Sequence, residues 1–139
     1  MTTKTDKEVE QDFRNLLINT DLAELINGKV YVKGNRPRDS KAEDAVVSFV
    51  TGLPEQIQEG SVNINIYVPD IDREENGVLQ EDGDRVQEIE IAAQAWVDTL
   101  IGGKSEYKIK LQQTIHSQED TPTNEHFVVI NLRYKLLTY

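Results

Sequence analysis

Three groupings in this 139-residue sequence carry residue types that could do chemistry. Gly102-Gly103-Lys104-Ser105 has the ending of a phosphate-binding P-loop, in which backbone N–H groups and a lysine cradle phosphates. The full motif needs another glycine five positions before Gly103, and Asp98 stands there. The order around it is also helix, turn, strand rather than strand, loop, helix, so the four residues read as a helix stop and a turn. Asp72-x-Glu74-x-Asn76-Gly77 resembles the first half of an EF-hand calcium loop, with hard oxygen ligands wrapped on a glycine turn. Its twelfth position, which should be a bidentate glutamate, is Gly83, and a strand rather than a helix precedes it. His116 and His126 bracket an expected polar loop containing Glu119, Asp120 and Glu125, a donor set that suits zinc or nickel. Hairpin mouths collect such polar residues without any metal, so no metal ligand is assigned. For nucleophilic catalysis there is no cysteine and no Gly-x-Ser-x-Gly elbow. Paired carboxylates need burial to raise a pKa for acid–base work, and these acids fall in loop and helix-start positions. No catalytic residue and no cofactor is expected.

Composition narrows the classes further. Fifteen Lys and Arg stand against 25 Asp and Glu, a formal net charge of −10. There is no basic excess to grip phosphate backbones, so sequence-specific nucleic-acid binding is not expected. With no cysteine, disulfides, zinc–thiolate sites and iron–sulfur clusters are excluded. No window approaches the roughly 18 apolar residues of a membrane span, and the start, MTTKTDKEVEQD, has no apolar signal region, so a cytoplasmic protein is expected. The acidity is local. Asp70 to Glu90 holds nine acids and two bases, a balance of −7, while the other 118 residues hold 16 acids and 13 bases.

The elements that must position these groups follow from periodicity. Residues 1–5 are polar and expected to fray, and 6–139 form one domain. Val9, Phe13, Leu16 and Leu17 make an apolar stripe on a helix over 6–19, and a short turn capped by Asp21 ends at Asn27-Gly28. Strands are expected at 29–33, 45–51 and 61–68, the last with Val62, Ile64, Ile66 and Val68 facing one way. Arg36-Pro37-Arg38-Asp39 lies in a loop, since Pro37 cannot donate to a ladder. A second helix is expected from Asp84, with Asp84 and Gln87 at capping-box spacing and Val86, Ile89, Ala93, Trp96, Val97 and Leu100 buried. Strands at 106–116 and 126–138 close the chain as a hairpin around a loop at 117–125. The expected fold is α+β: two helices on one face of a mainly antiparallel sheet of about five strands, in the order α-β-β-β-α-β-β.

With that order in hand, the chain resembles the tail-terminator or tail-completion proteins of long-tailed phages and prophages. The residues that carry the likeness are Leu22 to Tyr31 at the helix-to-strand junction, the Pro-containing Arg36 to Asp44 loop and the Val46-Val47 strand. The Val62 to Val68 strand, the Arg85 to Leu100 helix and the final Val128 to Tyr139 strand complete it. The resemblance implies a non-enzymatic virion protein that forms a homo-oligomeric ring. Such a ring caps the tail tube and joins it to head-connector proteins, with DNA passing through its lumen. It also implies assembly in a bacterial host cytoplasm and a final place in the virion neck. Interaction residues expected on this reading are Arg36, Arg38, Asp39, Asp70, Asp72, Glu74, Glu75, Glu81 and Asp82. The Asp70 to Glu90 segment would face the lumen or a basic patch on a neighbouring subunit. The alternative is a cytoplasmic acidic binding module that docks a basic partner through the same segment.

Overall fold

The computed structural model describes residues 3–137. Three helices, α1 (Asp6–Leu17), α2 (Asp21–Leu25) and α3 (Gly83–Ile101), pack against one mixed sheet. Its strands are β1 (Val30–Val32), β2 (Ala45–Leu53), β3 (Ile57–Pro69), β4 (Tyr107–Leu111), β5 (His116–Asp120) and β6 (Glu125–Leu137). The spatial order is β1-β2-β3-β6-β4, with β5 also on β6. The expected α+β class therefore holds. No described helix is long and apolar enough to cross a membrane.

Local chemistry explains the boundaries. Thr5 and Glu8 form a reciprocal capping box at the start of α1, satisfying two orphan N–H groups. Of the segment expected to fray, Met1 and Thr2 lie outside the described residues. The Lys4 N–H donates to Gln58 Oε1, and its ammonium lies 2.6 Å from Asp12 and from Glu106. Val9, Phe13 and Leu17 of α1 are fully buried against the sheet, where Phe13 packs on Tyr107 and Tyr134 with ring centroids 5.0 and 5.8 Å apart. The buried face of α3 is Val86, Ile89, Ala93, Trp96 and Val97, while Leu100, expected with them, is only partly buried; Trp96 Nε1 donates to the Leu16 carbonyl at 3.1 Å. Trp96 is thus a core anchor that ties α3 to the end of α1.

Three expectations need correction. Helix α3 starts earlier: Asp82, not Asp84, is its N-cap and accepts from the Arg85 N–H. Strand β3 begins at Ile57, because Gln58 is buried and Gly60 carries no side chain to show the alternation. Third, the segment expected as one strand and then a polar loop is a single interrupted edge. Leu111 pairs with Leu132 and His116 with Val129, so the four residues 112–115 of one side face the two residues 130–131 of the other, a two-residue bulge. Polar His116–Asp120 is strand because its pairing with β6 supplies the ladder its own pattern does not advertise. That raises the strands to six. The sheet is mainly antiparallel, as expected; β1 and β2 are its parallel neighbours, joined by residues 33–44, so the proline-containing loop is a crossover.

A second bulge falls between Phe49 and Thr51. The almost fully buried Glu10 carboxylate accepts the Phe49 N–H there at 2.9 Å and the Lys7 ammonium at 3.0 Å.

Candidate interaction surfaces

Strand β6 has two chemically opposite ends. At its start Pro69 pairs with Glu125, and the chain leaves β3 into the acidic loop. This loop is itself a small hairpin. Ile71 and Gln80 exchange both backbone hydrogen bonds at 2.8 Å, and the Asp72 carboxylate accepts the N–H groups of Asn76 and Gly77 at 3.0 and 2.8 Å. Gly77 has φ +80 and Glu75 φ +56, which a tight tip requires. Asp72 therefore serves as the internal tie of the tip. Glu74 and Glu75 are exposed beside Val78 and Leu79, which are 57% and 46% exposed.

Beneath the hairpin, Asp70 Oδ1 lies 2.7 Å from His126 Nδ1, and Glu81 accepts from the Ser117 hydroxyl at 3.0 Å and lies 3.8 Å from His126 Nε2. The Ser117 hydroxyl donates to a carboxylate and not to the imidazole. Sequence reading missed this chain of groups because its members are up to 56 positions apart. Burial, then the charge of Glu81, raises the nearby Glu90 carboxyl, and His116 partly offsets this. His116 stands opposite Val129 and His126 opposite Glu119, so the pleat sends the two imidazoles to opposite faces. Among the described residues no cluster of three or more His, Cys, Asp or Glu could hold a metal ion.

The crossover loop folds onto the sheet face away from the helices. The Arg36 guanidinium stacks 4.0 Å from the Tyr67 ring centroid and binds Asp44 at 3.0 Å and Glu125 at 2.9 Å. Burial alone would lower Arg36; its hydrogen bonds to Glu125 and Asp44 outweigh that and hold it firmly charged. Burial alone would raise Glu43 and Asp44. Arg85 and the Asn27 N–H overcome it for Glu43; Ser40, the Lys29 N–H and Arg36 overcome it for Asp44, so both carboxyls lie below the usual range. Arg85 grips Glu43 with two bonds of 2.7 and 2.6 Å and donates to the Leu25 carbonyl at 2.7 Å. Gly28 must be glycine here, since a Cβ would lie 2.2 Å from Asp44 Oδ1 and 2.5 Å from the Glu43 carbonyl oxygen.

Of the nine expected interaction residues, Arg36, Asp70, Asp72, Glu81 and Asp82 are thus engaged within the molecule. Arg38, Asp39, Glu74 and Glu75 are exposed. The crossover loop and the acidic hairpin meet at the same end of β6, joined through Glu125 and His126.

The far end of β6 is basic, which the overall charge conceals. Lys108 pairs with Lys135 and Lys110 with Arg133 in the β4–β6 ladder, and all four are exposed. Like charges directly opposite one another destabilise a sheet. Only Lys135 has an ion partner among the described residues, Glu59 at 3.5 Å. With Lys104, these bases line a cleft of about 440 Å3 that also borders Leu100, Ile101, Ile109 and Tyr134; Ile101 is exposed, whereas Ile109 and Tyr134 are buried beneath it. The cleft lies between the C-terminal end of α3 and the β4 edge. Acids at the start of α3 and Lys104 after its end also suit the helix dipole. Charge is therefore separated along α3, acidic near its start and basic beyond its end. No family model matches the chain, and no curated protein matches it.

Proposed function

We propose that this chain is a non-enzymatic assembly subunit of the phage tail-terminator type. On this reading, copies associate into a ring that caps the tail tube and meets the head connector. The carrying observation is the exposed like-charge ladder, Lys108 opposite Lys135 and Lys110 opposite Arg133, at the far end of β6 from the acidic hairpin. An isolated subunit gains nothing from it, whereas a contact that brings carboxylates there converts repulsion into attraction. A molecule with opposite charge at its two ends is suited to head-to-tail contacts, and repeated head-to-tail contacts close into a ring when the rotation permits. The element order and the helices on one face agree with the fold that the resemblance implies. A ring whose subunits each carry a net −10 would also let DNA pass without holding it.

Negative-stain electron microscopy of the concentrated chain at low ionic strength tests this. Annular particles with a central opening are expected. Single subunits alone, or open filaments, contradict the reading. Single subunits that bind a basic protein through the acidic hairpin would instead favour the binding-module alternative.

A further inference from the structure

The two ends of the molecule match each other in more than charge. The hairpin tip presents Glu74 and Glu75 next to exposed Val78 and Leu79. The cleft presents Lys104, Lys108, Lys110 and Arg133 near Ile101, which is 53% exposed. We propose that the Glu74–Leu79 tip of one molecule seats in the cleft between the end of α3 and the β4 edge of a second copy. This rests on the assembly reading and specifies the surfaces that would carry it.

Three observations favour this occupant. A molecule cannot fill its own cleft, because α3 separates tip from cleft and its 19 residues span about 28 Å. A nucleic acid would meet the four bases but would leave exposed Ile101 without an apolar partner, and the remaining net charge repels phosphate. The cleft, about 440 Å3, is of a size that takes a few side chains, and the tip offers two apolar ones flanked by two carboxylates. Val78 and Leu79 would cover Ile101 while Glu74 and Glu75 reach Lys108 and Lys110. The tip geometry is already set by Asp72, so little ordering is needed on docking.

A charge-swap experiment tests the contact. Glu74→Lys/Glu75→Lys reverses the tip, and Lys108→Glu/Lys110→Glu reverses the cleft. Each double variant alone is expected to associate about tenfold or more weakly than the parent, because the junction now opposes like charges. An equimolar mixture is expected to recover assembly, since the reversed tip of one suits the reversed cleft of the other. That recovery also reports that both variants fold, and circular dichroism melts check it separately. Val78→Ser/Leu79→Ser is expected to weaken assembly without any rescue by charge. If both charge variants assemble like the parent, this contact is wrong while self-assembly stands. A parent that stays a single subunit at its highest soluble concentration overturns the assembly reading and this contact with it. So does a single subunit whose cleft binds a duplex oligonucleotide.

Discussion

Lys108 stands directly opposite Lys135 across the β4–β6 ladder, both exposed to solvent. In a folded monomer that placement costs stability, and the next pair, Lys110 with Arg133, repeats it. The arrangement makes sense if the positions are kept for a partner's carboxylates.

The two demands can be separated by one substitution. Lys108→Glu places opposite charges across the ladder and is expected to stabilise the monomer by about 0.5 kcal/mol. The same change is expected to weaken self-association. Thermal unfolding and sedimentation of the variant check both signs, and a variant that loses stability and keeps full association contradicts the account.

Arg85 joins α3 to the crossover loop and to α2. Removing it as Arg85→Ala leaves the buried Glu43 carboxylate without its cation and is expected to cost about 3 kcal/mol. Arg85→Lys is expected to recover only part, because an ammonium lacks the planar fork that bonds both Glu43 oxygens. Denaturant titration measures each cost. An Arg85→Ala loss within a few tenths of a kcal/mol would show that the pair is dispensable.

Gly60 lies under Tyr134. A Cβ there would lie 2.2 Å from the Thr51 carbonyl oxygen and 2.7 Å from the Tyr134 hydroxyl. Gly60→Ala is expected to destabilise by about 2 kcal/mol or more. Adding Tyr134→Phe is not expected to restore it, since the closer obstacle is backbone. Recovery in the double variant would mean that the strand backbone yields easily.

Acid should unfold the protein through its crossover loop. The folded-state values of Glu43 and Asp44 are depressed below their ordinary 4.5 and 3.8. Between folded and ordinary values the unfolded chain binds more protons, so stability rises with pH there. Their contribution is fully present above about pH 5 and is lost as pH falls through the depressed values. Glu90 acts with the opposite sign. Its carboxyl is raised, so its ionisation opposes folding, and Glu90→Gln is expected to raise the melting temperature at pH 7 but not well below pH 4. Melting temperatures at several pH values check both. A Glu90→Gln variant no more stable than the parent at pH 7 counts against the sign given to Glu90.

Much of the fold was legible because its signals are local. The spacing of Val86, Ile89, Ala93, Trp96 and Val97 predicted one face of α3, and the alternation from Val62 to Val68 predicted one face of β3. What was not legible depends on distant partners. His116–Asp120 forms a strand only because β6 supplies the other half of the ladder. Arg36 was expected to face a partner, but it is held by Glu125, 89 positions away. The basic cleft was hidden for the same reason. Its bases come from Lys104 to Lys110 and from Arg133 to Lys135, which only strand pairing brings side by side.

Sedimentation velocity of the unmodified chain across a salt series tests the central claim most directly. At about 1 M salt the screening length falls to about 3 Å, which removes attraction between exposed charges. The account predicts a ring-sized oligomer at low ionic strength that dissociates to single subunits as salt rises. A species that stays at one subunit throughout, or an oligomer whose size ignores salt, would contradict it.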